Sequence, residues 1–313
     1  MNSQPSTLAN FKIAFKEHFN LHNKNQVYYV TILKDGRLAS VGGDNKLIIS
    51  EPSNNFKIDI TIDVCYCYAI FQFDNGLILT LGENYTLWSL TETELKKEFT
   101  YNCINCKGYP LSKNRFACSS KNSITIYSAN APYSKEPIAN LTEHGKTYNY
   151  PVLVQLKDKE ILFSAHPNNF VCLWDLNTYS LIKKVPTEPL FEKIGEIIQA
   201  DDDNIMIDRY IYTISTEKFK YWITPEEFSC EEKICTVTRT RDGKILCTWP
   251  TYLQDWGFED RFFLYDPKTG KYERDGNWTD LFRMNTIAVI NEHTLVAGCL
   301  YPSKEDSIKL IHY

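Results

Sequence analysis

No stretch of this 313-residue chain is apolar for long enough to span a membrane, and Met1 to Asn10 lack the basic-then-apolar order of a secretory signal. Positive charge is also scarce. With 34 Lys and Arg against 39 Asp and Glu, the formal charge of −5 offers no basic field to nucleic acid or anionic lipid. No Pro-, Gly- or Ser-rich linker divides the chain, and its 13 glycines stand in turns rather than in a phosphate-cradling loop before a helix. No Ser-His-Asp or Cys-His set is readable by spacing. These absences point to a protein of the cytoplasm, with the nucleus as an alternative, that binds neither membrane nor nucleic acid. Its 10 cysteines are then expected as reduced thiols. The sequons at Asn84, Asn140 and Asn277 become chance matches.

What the chain does contain is a phrase that returns. An apolar residue, a tight polar turn and a second apolar strand occur at Leu33 to Leu38, Phe73 to Ile78, Leu111 to Phe116 and Leu156 to Ile161. Weaker copies stand at Ala200 to Ile205, Thr240 to Ile245 and Ile290 to Leu295. The third residues (Asp35, Asn75, Lys113, Asp158, Asp202, Asp242, Glu292) are 40, 38, 45, 44, 40 and 50 residues apart. A period in that range marks a stacked repeat architecture.

The first copy shows the parts of one repeat. Gln26 to Leu33 reads as a strand, Lys34 to Arg37 as a two-residue hairpin loop with Gly36 supplying the positive φ, and Leu38 to Val41 and Lys46 to Ser50 as two more strands. Phe56 to Val64 alternates strictly, with Phe56, Ile58, Ile60, Ile62 and Val64 apolar, so one face is expected buried and the other wet. The middle strands are continuous apolar runs, as in sheets covered on both faces. Four antiparallel strands per repeat describe a blade of a seven-bladed β-propeller, an all-β fold.

The seventh repeat stops one strand short after Ser307 to Tyr313, while residues 11–19 carry fourth-strand alternation at Phe11, Ile13 and Phe15. Pairing the two would close the last blade and cover its edge. A free amphipathic helix at 7–19 is the competing reading. The domain expectation is a flexible segment at 1–10 and one propeller at 11–313.

This organisation resembles the WD40 family of seven-bladed propellers. The carriers are Leu38-Ala-Ser-Val-Gly-Gly-Asp-Asn-Lys-Leu-Ile-Ile-Ser50 and Ile161-Leu-Phe-Ser-Ala-His-Pro-Asn-Asn-Phe-Val-Cys-Leu-Trp-Asp175, the second ending in the Trp-Asp dipeptide that names the family. The resemblance implies a buried structural network of His, Ser, Trp and Asp. His144, Ser164 and Trp174 match three members, with Asn168 where Asp is usual. It also implies a non-catalytic scaffold, monomeric on its own, that binds a protein or peptide within a multiprotein complex.

A site must still be argued from residues. Between the strands of the sixth repeat lies a long loop, residues 249–260, holding Trp249, Tyr252, Trp256 and Phe258, and Trp278 and Phe282 are expected on the same face. Aromatic residues with acidic neighbours compose an interaction hot spot near blades 5–7, unless the loop folds back as a plug over its own rings. Exposed aromatics would also serve a sugar-binding propeller. The Glu-rich stretch 225–232 would favour a segment carrying Lys or Arg, and Asp201 to Asp203 reads as a turn.

The alternative class is a propeller hydrolase or lactonase with a metal at the central channel mouth. Asn105, Asn149, Glu196 and Asn285 fall near such positions but supply one carboxylate and no histidine. Cys65 and Cys67 with Cys103 and Cys106 offer two pairs for zinc, without the glycines of a knuckle, so ordinary buried thiols are the default. No cofactor and no metal is therefore expected.

Overall fold

The computed structural model describes residues 14–23, 25–103, 106–121, 123–142, 150–166, 170–187, 194–223, 236–252, 258–274, 284–299 and 308–312. Among the described residues, β-branched and aromatic runs punctuated by polar turns become 28 strands, with one single-turn 3-10 helix at Pro52–Asn54. The strands pair into seven four-stranded antiparallel sheets, so the chain has the all-β seven-bladed propeller fold that its period predicts.

Two compact units are present, residues 65–220 and residues 1–64 with 221–313. In the first unit, blade 2 is built from Cys67–Gln72, Ile78–Gly82, Tyr85–Leu90 and Leu95–Tyr101, and blade 3 from Lys107–Leu111, Arg115–Ser119, Ile124–Ser128 and Ala139–Leu141. Blade 4 follows as Val152–Gln155, Ile161–His166, Phe170–Asp175 and Ser180–Pro186, and blade 5 as Ile197–Gln199, Asn204–Ile207, Tyr210–Thr213 and Lys218–Tyr221.

The core of this unit lies between blades. Ala117, Ile124 and Ile126 of blade 3 meet Leu162, Phe170 and Trp174 of blade 4, and Phe163, Val171 and Val185 of blade 4 meet Ile205, Ile207 and Tyr212 of blade 5. Fully burying such a side chain stabilises by about 1.5–3 kcal/mol, and no blade has two covered faces by itself. Arg115 adds a polar tie. It is buried, donates to the Leu176 carbonyl at 2.8 Å and pairs with Glu160 of blade 4.

In the second unit, blade 1 comprises Val27–Ile32, Leu38–Gly42, Lys46–Glu51 and Lys57–Asp63, and blade 6 Thr236–Arg239, Ile245–Tyr252, Phe258–Asp266 and Lys271–Arg274. Blade 7 has Met284–Asn291, Thr294–Cys299 and Ile308–His312, and its fourth strand is N-terminal, Ala14–Phe19. Ala14 lies opposite His312 and Phe19 opposite Ile308. The terminal strands therefore close the last blade, and residues 14–19 are extended rather than helical. Leu38 and Ile48 of blade 1 share a core with Val296 and Ile308 of blade 7.

Local geometry corrects two sequence expectations. The first turn is not a two-residue loop. The Leu33 amide donates to the Arg37 carbonyl and the Gly36 amide to the Leu33 carbonyl, so Lys34 to Gly36 form a three-residue loop, with Gly36 at φ +91°. In blade 3 the turn differs, since Lys113 and Asn114 both take positive φ and the Arg115 amide reaches the Ser112 carbonyl, while the register sets Leu111 opposite Arg115.

The fourth strand of blade 1 also departs from strict alternation. Ile49 faces Ile60 but Ser50 faces Ile58, so Asp59 is an extra residue in a bulge. Ile60 is buried while Ile58 stays 44% exposed. The same irregularity recurs in blade 2, where it leaves out Glu98, and in blade 4, where it leaves out the exposed Ile182. The repeat is thus written in backbone geometry as well as in turns.

Candidate functional site

Blade 6 carries the feature that sets it apart. Its second and third strands have 8 and 9 residues, while the first and fourth have 4 each. Among the described residues the first strand pairs with Ile245 to Thr248, and the fourth with Phe263 to Asp266. The two long strands continue against each other past these positions, Trp249 opposite Arg261, Pro250 opposite Asp260, Thr251 opposite Glu259 and Tyr252 opposite Phe258. Of the segment expected as a loop at 249–260, residues 249–252 and 258–260 are therefore the two paired strands of an arm. Trp, Thr, Tyr and Phe are strong strand formers, which is why the pairing persists past the sheet.

Among the described residues no third strand pairs with either outer edge of the arm. Pro250 fits that setting, since proline lacks the N–H of an interior strand. Of the residues expected to bind a partner, Trp249, Tyr252 and Phe258 stand on the arm's strands. Trp256, Trp278 and Phe282 lie outside the described residues, as does the Glu-rich stretch 225–232.

Elsewhere, buried polar side chains are committed to structure. In blade 4, Trp174 Nε1 donates to Ser164 Oγ at 2.9 Å, and Ser164 Oγ lies 2.8 Å from His166 Nε2. His144 and Asn168, read as members of that network, lie outside the described residues. Blade 2 repeats the pair with Trp88 Nε1 donating to Thr80 Oγ1 at 2.9 Å.

A fuller network, missed in the sequence, sits in blade 1. His22 bridges Ser40 Oγ at 2.9 Å and Asp44 Oδ1 at 2.7 Å. A Cβ on Gly42 would stand 2.7 Å from the His22 ring, so only glycine admits it. The signal was legible in hindsight. Ser40, Thr80 and Ser164 hold the same place in their strands, and Asp44 occupies the turn that follows.

Burial raises the Asp44 pKa, but the hydrogen bond and charge of His22 outweigh it and hold the carboxyl below its ordinary 3.8. A depressed pKa contributes stability above the unfolded value that is lost as pH falls through the folded one. Urea titrations of the native chain and Asp44→Asn at pH 5 and pH 2.5 check this. The variant should be less stable by about 1–3 kcal/mol at pH 5, with the gap closing at pH 2.5.

The remaining ionisable cluster lies in blades 3 and 5. Asp208 accepts the amides of Gly195 and Glu196 at 2.9 and 3.3 Å and so shapes the entry to blade 5. Glu196 is solvent-exposed yet closely surrounded by protein atoms. Desolvation moves its pKa upward, Lys107 opposes that and Asp208 adds to it, and exposure to solvent weakens all three. Asn105 and Asn149 lie outside the described residues, and Asn285 stands in the first strand of blade 7. Asp201 to Asp203 form the expected turn, with Asp201 Oδ1 accepting the amides of Asp203 and Asn204.

The cysteine pairs do not meet as the sequence suggested. Cys65 is exposed and the Cys67 thiol donates to the Ala69 carbonyl, while Cys103 and Cys106 gather with Cys118 instead.

No protein-family model matches this chain, and no curated protein matches it in sequence.

Proposed function

We propose that the protein is a non-catalytic interaction scaffold of the WD40-repeat type, and that it binds an extended segment of a partner protein along the arm of blade 6. The observation that carries this reading is the pairing of residues 249–252 with 258–261, which among the described residues has no third strand beside it. An open edge on a rigid blade recruits a partner strand through main-chain hydrogen bonds, with side-chain pockets supplying choice. Because the blade is ordered beforehand, little ordering cost falls on the scaffold side.

The arm's sequence, Trp249 to Arg261, holds three acidic residues and one basic residue, Arg261, among its aromatics. It therefore suits a segment with Lys or Arg between apolar anchors. The recurrent Trp-to-Ser/Thr bonds and the His22–Ser40–Asp44 network support the WD40-type reading. A cytoplasmic or nuclear setting, with thiols reduced and the chain monomeric, completes the proposal.

The test replaces residues 249–261 by Asn-Gly, since Thr248 and Phe262 are directly opposed and suited to a two-residue turn. Affinity capture with quantitative mass spectrometry should find the native chain's specific partners depleted at least about tenfold with the variant, at an unfolding midpoint within a few degrees. Equal recovery by the two proteins overturns the arm as the site.

A further inference from the structure

Three cysteines far apart in the turn pattern converge in the first unit. Cys103 and Cys106 flank the crossing from the last strand of blade 2 to the first strand of blade 3, and Cys118 stands in the second strand of blade 3. The register explains the third member, because Cys118 lies opposite Gly108, two residues beyond Cys106. The three sulfurs all fall within 4.8 Å of one another. Thiols that merely fill a core are scattered singly among apolar neighbours, as buried Cys172 is in the core between blades 3 and 4. Convergence of three is the arrangement of a ligand set.

We propose that Cys103, Cys106 and Cys118 bind one zinc ion as thiolates, pinning the crossing between blades 2 and 3. Zinc–sulfur bonds of about 2.3 Å place tetrahedral sulfurs about 3.8 Å apart, so the cluster needs only a small contraction. As three Zn–S bonds form, three S–H protons pass to solvent. Three thiolates on a divalent ion leave a net charge of −1, whereas a monovalent soft ion such as copper(I) leaves −2 in the same partly buried site, which costs more. Cys103 and Cys118 are buried, and Cys106 is half-buried, giving the ion a path in and leaving a fourth position for water.

The surroundings are organised around Cys106. The Tyr68 and Tyr85 hydroxyls each lie 3.0 Å from its carbonyl oxygen and 2.8 Å from each other. Tyr85 Oη is also 3.4 Å from Cys106 Sγ. Two phenolic protons are shared among these contacts. Once the sulfur is a metal-bound thiolate, the Tyr85 hydroxyl can donate to it and hold its orientation. Cys65 and Cys67 have no place in this set.

The experiment uses the full chain, purified under reducing conditions and loaded with zinc chloride, then dialysed against a weak chelator. One zinc per chain is expected by elemental analysis, and cobalt(II) in its place should give thiolate-to-metal charge-transfer bands. Cys65→Ser should bind as the native chain does. Cys118→Ser should bind at least about 100-fold more weakly, since loss of an outer-shell partner alone costs 10–100-fold.

Should Cys118→Ser fail to fold, differential alkylation of the native chain decides. Zinc should protect Cys106 and leave Cys65 reactive. Zinc below one-tenth equivalent, equal affinity in Cys118→Ser, copper(I) retained in preference to zinc, or no protection of Cys106 each overturn the assignment.

Discussion

Trp174→Ala is expected to destabilise the native chain by about 3–5 kcal/mol, the range for truncating a fully buried tryptophan. Trp174 has no exposed surface and packs against Leu111, Ala117, Ile126, Leu153 and Leu162 where blades 3 and 4 meet. Its loss empties space that two blades share and withdraws the donor to Ser164 Oγ. Trp174→Phe retains much of the ring but not the N–H, so about 1–2 kcal/mol of the penalty should remain. The difference between the two variants separates packing from hydrogen bonding.

Trp88 provides the control. It makes the same 2.9 Å bond, to Thr80, but is only half-buried. Trp88→Ala should cost less than half of what Trp174→Ala costs. Equal penalties in urea titrations would mean that the hydrogen bond, not the interblade packing, dominates.

Deleting residues 1–20 is expected to be at least as damaging. The strand Ala14–Phe19 covers Ile308–His312, and the Phe19 ring lies 4.3 Å from that of Phe56. Without it, a five-residue strand holding fully buried Ile308 and Ile311 becomes an open edge. About five ladder bonds at 0.5–1.5 kcal/mol each give a loss of about 3–7 kcal/mol, before the exposed apolar surface is counted. The truncated chain should unfold well below the native midpoint and associate through the uncovered edge, seen as concentration-dependent light scattering. A truncated chain as stable and monomeric as the native one overturns this.

The parts of the fold carried by local chemistry were legible in the sequence. Gly36, Gly76 and Gly243 mark turns because positive φ suits glycine, and all three adopt it. The closing strand was legible because Phe11, Ile13 and Phe15 alternate while the seventh repeat ends early; it is described over Ala14–Phe19, with Phe11 and Ile13 outside the described residues. What depends on register was hidden. The bulges at Asp59, Glu98 and Ile182 leave no mark in composition, yet they decide which fourth-strand residues face water.

The same holds for function. Cys118 joins Cys103 and Cys106 only because Gly108 is its cross-strand partner. The arm was read as a loop because it is the long stretch between two apolar strand segments, whereas pairing from Trp249 to Tyr252 carries the second strand past Pro250. The aromatic residues on it were legible as a candidate site, since their cluster interrupts the repeat at its widest interval. His22 was overlooked because it lies before the first turn phrase, outside the repeat as counted.

The central claim is that the chain's two ends complete one blade, and a circular rearrangement tests it most directly. Ala14 opposes His312, so residues 13–20 can be moved to follow Tyr313 through an Asn-Gly turn and still run antiparallel to Ile308–His312. Thermal unfolding of this permutant should fall within a few degrees of the native chain, far above the 1–20 deletion. A permutant no more stable than the deletion would contradict the closure.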